Sequence, residues 1–183
     1  MRLFIAEKPS VAKAIAAELG NVTRAEGYLQ CGADRVTWCF GHILEMAKPE
    51  HYGEQYAKWR AEDLPIIPQV WALLPKEDAK AQLAVIGRLL KDTTEVVNAG
   101  DPDREGQLLV DEVLEHFKNR RDVKRFWVSA QDSVSIQRGL AALKSNKDYQ
   151  GLKDAALARQ RADWLIGMNF SRAYTLRAQR GGA

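Results

Sequence analysis

The chain has 183 residues, of which 46% are hydrophobic and 28% charged, proportions that exclude a disordered or fibrous protein. It can bury about 70% of the surface it exposes when unfolded, so a core needs neither disulfides nor structural metal, and the two cysteines, Cys31 and Cys39, fit a reducing compartment. No apolar run reaches the roughly 20 residues a bilayer requires, and the net charge of +3 by itself assigns no partner.

Leu3-Phe4-Ile5-Ala6 is a short apolar run that predicts a buried strand, cut off by Glu7-Lys8-Pro9 before any signal-peptide core could form. Pro9-Ser10 opens an alanine-rich helix, Val11 to Leu19, which Gly20 is placed to stop. Arg35 to Phe40 has the β-branched and aromatic character of a second strand. From Glu45 to Pro75 the pattern breaks: Pro49, Pro65, Pro68 and Pro75 punctuate it, while Tyr52, Tyr56, Trp59 and Trp71 offer anchors. So long an irregular stretch reads as an insertion or a functional segment. The tryptophans could anchor it or stack on bases.

Regular structure resumes with a helix over Lys76 to Asp92, a strand over Glu95 to Ala99, a tight turn from Gly100 to Arg104 and a helix over Glu105 to Phe117. A strand over Val123 to Val128 and a helix over Ser133 to Leu143 follow. Strands alternating with helices at this spacing predict an α/β fold, a mostly parallel sheet with helices on both faces. Ser145-Asn146-Lys147-Asp148 is a polar break, which places one domain at 1–148 with its insertion at about 45–75. A helical segment, 149–183, then begins a second domain, and the chain is expected to be a piece of something larger. This last stretch holds the basic excess. From Lys153 onward there are six basic residues against two acidic, while the rest of the chain has 21 against 22. Five of those six cations are arginines, which suit phosphate or a solvated helix face equally.

Two strand ends carry unusual chemistry. Glu7-Lys8 follows the first strand, and Asp101-Pro102-Asp103-Arg104-Glu105 follows the strand at 95–99, where ligands bind in open parallel sheets. Three carboxylates at alternate positions repel one another unless a cation sits among them, and Mg²⁺ suits hard oxygen ligands. The other reading is local: Asp101 as N-cap, Pro102 at the first helical position, and acids in the first turn complementing the helix dipole. Glu7, a fourth acid beside a lysine, has no such capping role. Four acids and a lysine on one edge point to phosphoryl-transfer chemistry. His42, Arg104 and the cysteines have ordinary structural readings beside functional ones.

Phe4 to Ser10 together with Ala99 to Gly106 resembles the toprim domain of type IA DNA topoisomerases, most closely bacterial topoisomerase III. Trp38 to Glu45, Tyr56 to Trp59, Asp63 to Ile66 and Arg161 to Asn169 match in the same order, so the resemblance covers nearly the whole chain. It implies a Rossmann-like toprim fold and ATP-independent relaxation or decatenation through cleavage, passage and resealing of one DNA strand. It further implies that Asp101, Asp103 and Glu105 bind Mg²⁺. Glu7 would transfer a proton at the leaving oxygen and help hold the metal, and Lys8 would contact the scissile phosphate. Arg159 and Arg161 would touch the backbone of single-stranded DNA.

The nucleophilic tyrosine of the family has no counterpart among Tyr28, Tyr52, Tyr56, Tyr149 and Tyr174. Tyr174 reads as a helix-packing residue. The fragment is therefore expected to be inactive alone, to work with the remainder of the topoisomerase chain, and to be a monomer in the bacterial cytoplasm, associated with the nucleoid and not with membrane. The competing readings are a stand-alone toprim nuclease or primase-type enzyme, and a non-catalytic single-strand binding module.

Overall fold

The computed structural model describes residues 1–180, so the last three residues of the 149–183 segment lie outside the described residues. The chain divides into two compact units, the first made of residues 1–44 and 75–156, the second of 45–74 and the chain from 157 onward.

The first unit is built on a seven-stranded sheet. Its strands are β1 (Arg2–Ala6), β2 (Val22–Ala25), β3 (Tyr28–Cys31), β4 (Asp34–Trp38), β7 (Glu95–Ala99), β8 (Val123–Arg125) and β9 (Lys144–Ser145), in the spatial order β2-β3-β4-β1-β7-β8-β9. Strands β5 (Leu44–Met46) and β6 (Leu73–Pro75) form a separate two-stranded sheet that brackets the insertion. The four central strands, β4, β1, β7 and β8, run parallel, and antiparallel pairs close both edges. The expected α/β sheet is present. The hairpin β2–β3 is an addition, turning at Glu26-Gly27 between the paired residues Ala25 and Tyr28.

Strand alternation sends successive side chains to opposite faces, and each face meets its own helices. Phe4 and Ala6 of β1 join Ala12, Ile15 and Ala16 of α1 (Pro9–Leu19) and Ile136 of α4 (Ser133–Ala141) in one buried cluster. Leu3 and Ile5 turn to the other face, beside Val96 and Asn98 of β7. On that side Gln82 of α2 (Lys80–Lys91) donates to Thr37 Oγ1 at 3.0 Å, and Asn98 donates to Asp111 of α3 (Arg104–His116) at 3.2 Å. Each fully buried large apolar side chain in these layers contributes about 1.5–3 kcal/mol. A fork from Arg2 to Asp34 (2.6 and 3.0 Å) ties β1 to β4. Burial works against the Asp34 carboxylate, but these bonds hold its pKa below the ordinary value.

The second unit explains how an irregular segment keeps one shape. Residues 45–74 contain three single turns of 3₁₀ helix, and α5 (Gln150–Arg180) supplies their anchors. Buried Trp164 donates from Nε1 to the Ala47 carbonyl at 2.9 Å and meets Tyr52 and Trp71 edge-on. Asn169 accepts from the Ile66 N–H (2.6 Å) and donates to the Ile66 carbonyl (2.9 Å), imitating a strand partner. Arg172 donates to the Tyr56 carbonyl at 2.7 Å with its guanidinium over Trp59. Trp71 thus serves as an anchor in this unit.

Candidate active site

Paired residues Ala6 and Ala99 end two adjacent parallel strands. The helices that follow, α1 and α3, leave toward opposite faces, so a crevice opens beyond the carboxyl ends of β1 and β7, where open α/β sheets bind ligands. Glu7 and Lys8 leave β1 at this point, and Gly100 to Asp103 leave β7. Lys8 Nζ lies 2.7 Å from Asp101 Oδ2 and 3.1 Å from Glu7 Oε1, so one ammonium joins the two loops. Its hydrogen bonds to Asp101 and then Glu7 hold the lysine pKa above its ordinary value. The Asp101 N–H donates to Glu7 Oε2 at 3.3 Å, and the Gly41 N–H donates to the Glu7 carbonyl at 3.0 Å. The loops after β1, β4 and β7 therefore interlock around Glu7.

Asp103, not Asp101, caps α3. The Asp103 carboxylate accepts from the Gly106 N–H at 2.7 Å with extended backbone at the cap, and the helix starts at Arg104. The sequence placed the cap two residues early because Asp101-Pro102 also fits the cap pattern. The chain instead spends that dipeptide on a turn, in which the Asp103 N–H donates back to the Asp101 carbonyl at 2.8 Å. Two glycines make the turn possible. A Cβ at Gly100 would strike the Gly106 carbonyl, and one at Gly106 would strike the Asp101 backbone, so loop and helix touch backbone to backbone. Glu105 is half exposed, with Arg104 Nε 3.5 Å from its carboxylate. Glu7, Lys8 and Asp101 are thus drawn together, Asp103 is turned to its capping bond, and Glu105 stands outward. Among the described residues no three acidic, histidine or cysteine side chains converge tightly enough to hold a metal ion in this arrangement. The donor set is nonetheless all oxygen, and Mg²⁺ commonly takes only one or two carboxylates, with waters and phosphate completing its shell. The residues fit such an ion.

Two groups escaped the sequence reading. Arg125 of β8 is fully buried beneath the acidic loop and donates to the carbonyls of Gly100, Asp101 and Phe126 at 2.7 Å each and of Asn98 at 3.2 Å. Burial pushes its pKa down to about 10, against the pull of Asp111, Tyr149, Asp103 and Asp101. Asp111, on the buried face of α3, accepts from Asn98, Gln107 and Asn146, and burial raises its pKa despite those bonds. Nothing in Val123-Lys124-Arg125-Phe126 marks a buried arginine, because Lys124 beside it is equally charged. His42, in the loop that binds Glu7, sits 3.8 Å from buried Glu112, whose bond raises the imidazole pKa.

In the second unit Arg159 is exposed, 3.5 Å from Asp163, while Arg161 is half-buried with its guanidinium over Trp71. Tyr174 is 71% exposed, contrary to the packing role expected of it, because it lies on the face of α5 that also leaves Ile166 and Phe170 open.

An acidic loop and a lysine at the crevice of a small, mostly parallel sheet are the features of a toprim domain. A model of the Toprim domain family matches residues 2–131, and the chain belongs to that family. Across 187 residues it is 49% identical to the DNA topoisomerase 3 of Vibrio cholerae serotype O1, a match covering 99% of this chain and 29% of that protein. It is 47% identical over 188 residues to the DNA topoisomerase 3 of Pasteurella multocida, covering 100% and 29%. The chain thus spans under a third of the length of these relatives. The structure of full-length topoisomerase I from Thermotoga maritima aligns with a TM-score of 0.59 at 18% identity, over 90% of this chain and 24% of that one, a likeness of fold. Among the described residues no helix is long and apolar enough to cross a membrane.

Proposed function

We propose that this chain is the Mg²⁺-binding half of a type IA topoisomerase active site, which cleaves, passes and reseals one DNA strand without ATP. The observation that carries this reading is the Lys8 ammonium held between Glu7 and Asp101 at the crevice of the parallel sheet. The ammonium, half exposed between the two carboxylates, can turn to a phosphate oxygen, where its charge opposes the negative charge that grows on the phosphate. Asp101, Asp103 and Glu105, with help from Glu7, would hold magnesium, which would supply further charge neutralisation there.

In the cleavage step a tyrosine hydroxyl from the remainder of the topoisomerase chain releases its proton to solvent as its oxygen attacks phosphorus, the bond to the 3′ oxygen breaks, and the strand is held by its 5′ phosphate. The 3′ oxygen leaves with the bonding electrons and takes a proton that Glu7 has first accepted from solvent, which returns Glu7 to its carboxylate; resealing reverses each transfer. This role is supported by the hydrogen bonds that the loops after β4 and β7 make to the Glu7 backbone carbonyl and carboxylate respectively. Arg159 and Arg161 contact the phosphate backbone of the single strand, the exposed Arg159 more freely than Arg161. The names of the relatives support the reading, and the remainder of a topoisomerase chain is the partner it requires.

The test is a chimera in which this chain replaces the matching 187 residues of the Vibrio cholerae protein. The chimera should relax negatively supercoiled plasmid in Mg²⁺ without ATP, and Lys8→Ala should slow single-turnover cleavage about a hundredfold to a thousandfold at saturating Mg²⁺. Full rescue by added metal would restrict Lys8 to neutralising its acidic neighbours. Sustained cleavage by the 183-residue chain alone would indicate a nuclease, and a folded but inactive chimera would refute the assignment.

A further inference from the structure

Arg125 is the one charged side chain of the first unit that is wholly buried, and its four hydrogen bonds go to carbonyls, not carboxylates. Its hydrogen-bonding nitrogens all serve backbone oxygens, and its Nε–H has no hydrogen-bond partner. Burying a guanidinium is costly unless something specific is gained by it. Here three of the four carbonyls belong to one stretch, Asn98, Gly100 and Asp101, the turn that carries the acidic loop out of β7. The planar fork fits several oxygens at once, which a lysine ammonium on its flexible stem cannot reproduce. The face of the guanidinium is fixed as well, 4.8 Å from the Trp127 ring centroid, and Trp127 stacks on Tyr149.

The Gly100 and Asp101 carbonyls point inward to the fork, so the Asp101 side chain and the turn to Asp103 are directed toward the crevice. The fork's positive charge also lies behind the loop, where it offsets repulsion among the carboxylates in front. We propose that Arg125 is a positioning residue: its fork sets the spacing of Asp101 and Asp103 and thereby the Mg²⁺ affinity of the site. This rests on the magnesium reading above for its consequence, but not for the loop geometry.

The experiment compares the chain with its Arg125→Lys and Trp127→Leu variants. Amide hydrogen exchange in metal-free buffer should show protection lost at Gly100, Asp101, Asp103 and Gly106 in Arg125→Lys, with the β1 amides unchanged. Trp127→Leu, which spares the fork and frees only its face, should loosen the same amides less. Titration calorimetry with MgCl₂ should find affinity reduced about tenfold to a hundredfold in Arg125→Lys, the range seen when groups that orient metal ligands are removed. A core control, Ile15→Val, should lower thermal stability without moving either readout. If Arg125→Lys leaves loop exchange and Mg²⁺ affinity at the unsubstituted level, the positioning role is overturned while the magnesium reading stands. If the unsubstituted chain takes up no Mg²⁺ yet the loop amides still loosen, the magnesium reading fails and the positioning role stands. Uniform loosening of β1 and loop in both variants would show a merely structural arginine and also overturn the proposal.

Discussion

Asp103 makes a capping bond and has a proposed metal role, and substitutions separate the two. Its carboxylate caps α3 through the Gly106 N–H at 2.7 Å, and it belongs to the acidic set assigned to Mg²⁺. Asp103→Ala removes the cap, at a cost of about 1 kcal/mol, and also an anion at the helix N-terminus, about 0.3–1 kcal/mol more. Relief of repulsion with Asp101 and Glu105 returns part of this, leaving about 1–1.5 kcal/mol net. In a domain of this size that lowers the thermal midpoint by about 2–6 °C. Asp103→Asn keeps an oxygen for the Gly106 N–H and loses only the charge, so its midpoint should stay within about 1–2 °C. Both should bind Mg²⁺ poorly. The assay is scanning calorimetry in chelator-treated buffer, followed by Mg²⁺ titration of the same samples. Equal midpoints for Ala and Asn would refute the capping argument, and undiminished Mg²⁺ binding in Asp103→Asn would remove Asp103 from the metal set.

The central sheet could be read from the chain because its strands are buried on both faces and therefore appear as unbroken apolar runs, such as Leu3 to Ala6. The hairpin could not. Val22 to Ala25 is mostly exposed and carries Thr23 and Arg24, so it lacks both an apolar run and a clear alternation. Its only local mark is Gly27 at the turn, whose meaning depends on Gln82, fifty-five residues on, donating to the Gly27 carbonyl. The convergence of Glu7, Lys8 and Asp101 was legible because charged residues directly after adjacent buried strands must lie at the same end of the sheet. What remained hidden was which carboxylate does what. Asp101 and Asp103 both satisfy cap chemistry, and the choice is made by the close approach of Gly100 to Gly106, a contact between backbones that no side-chain pattern records. Arg125 was hidden for the same reason: its partners are carbonyls, which every residue has.

Gly106→Ala tests that backbone contact: the added Cβ would press on Asp101, so α3 must move away from the loop, and about 1–3 kcal/mol of stability together with Mg²⁺ affinity should be lost. An alanine variant with unchanged thermal midpoint and metal titration would show the approach to be incidental. The last prediction concerns His42. Its imidazole faces Glu112 and, farther off, Glu105 on α3, which favour the charged form, while burial and Lys76 oppose it, and the balance raises the pKa. A histidine whose folded pKa exceeds its unfolded value of about 6.5 contributes stability that is fully present below that value and is lost as pH rises through the folded pKa. Glu112→Gln removes the leading cause, so burial and Lys76 should then carry the His42 pKa downward against the weaker pull of Glu105. The chain should lose more stability below the folded His42 titration, where the imidazole is charged and the pair exists to be broken, than above it. Imidazole proton shifts followed by NMR across that titration measure it directly. An unmoved His42 titration in Glu112→Gln would mean that the 3.8 Å approach carries no charge coupling, and the loop that binds Glu7 would then owe nothing to this pair.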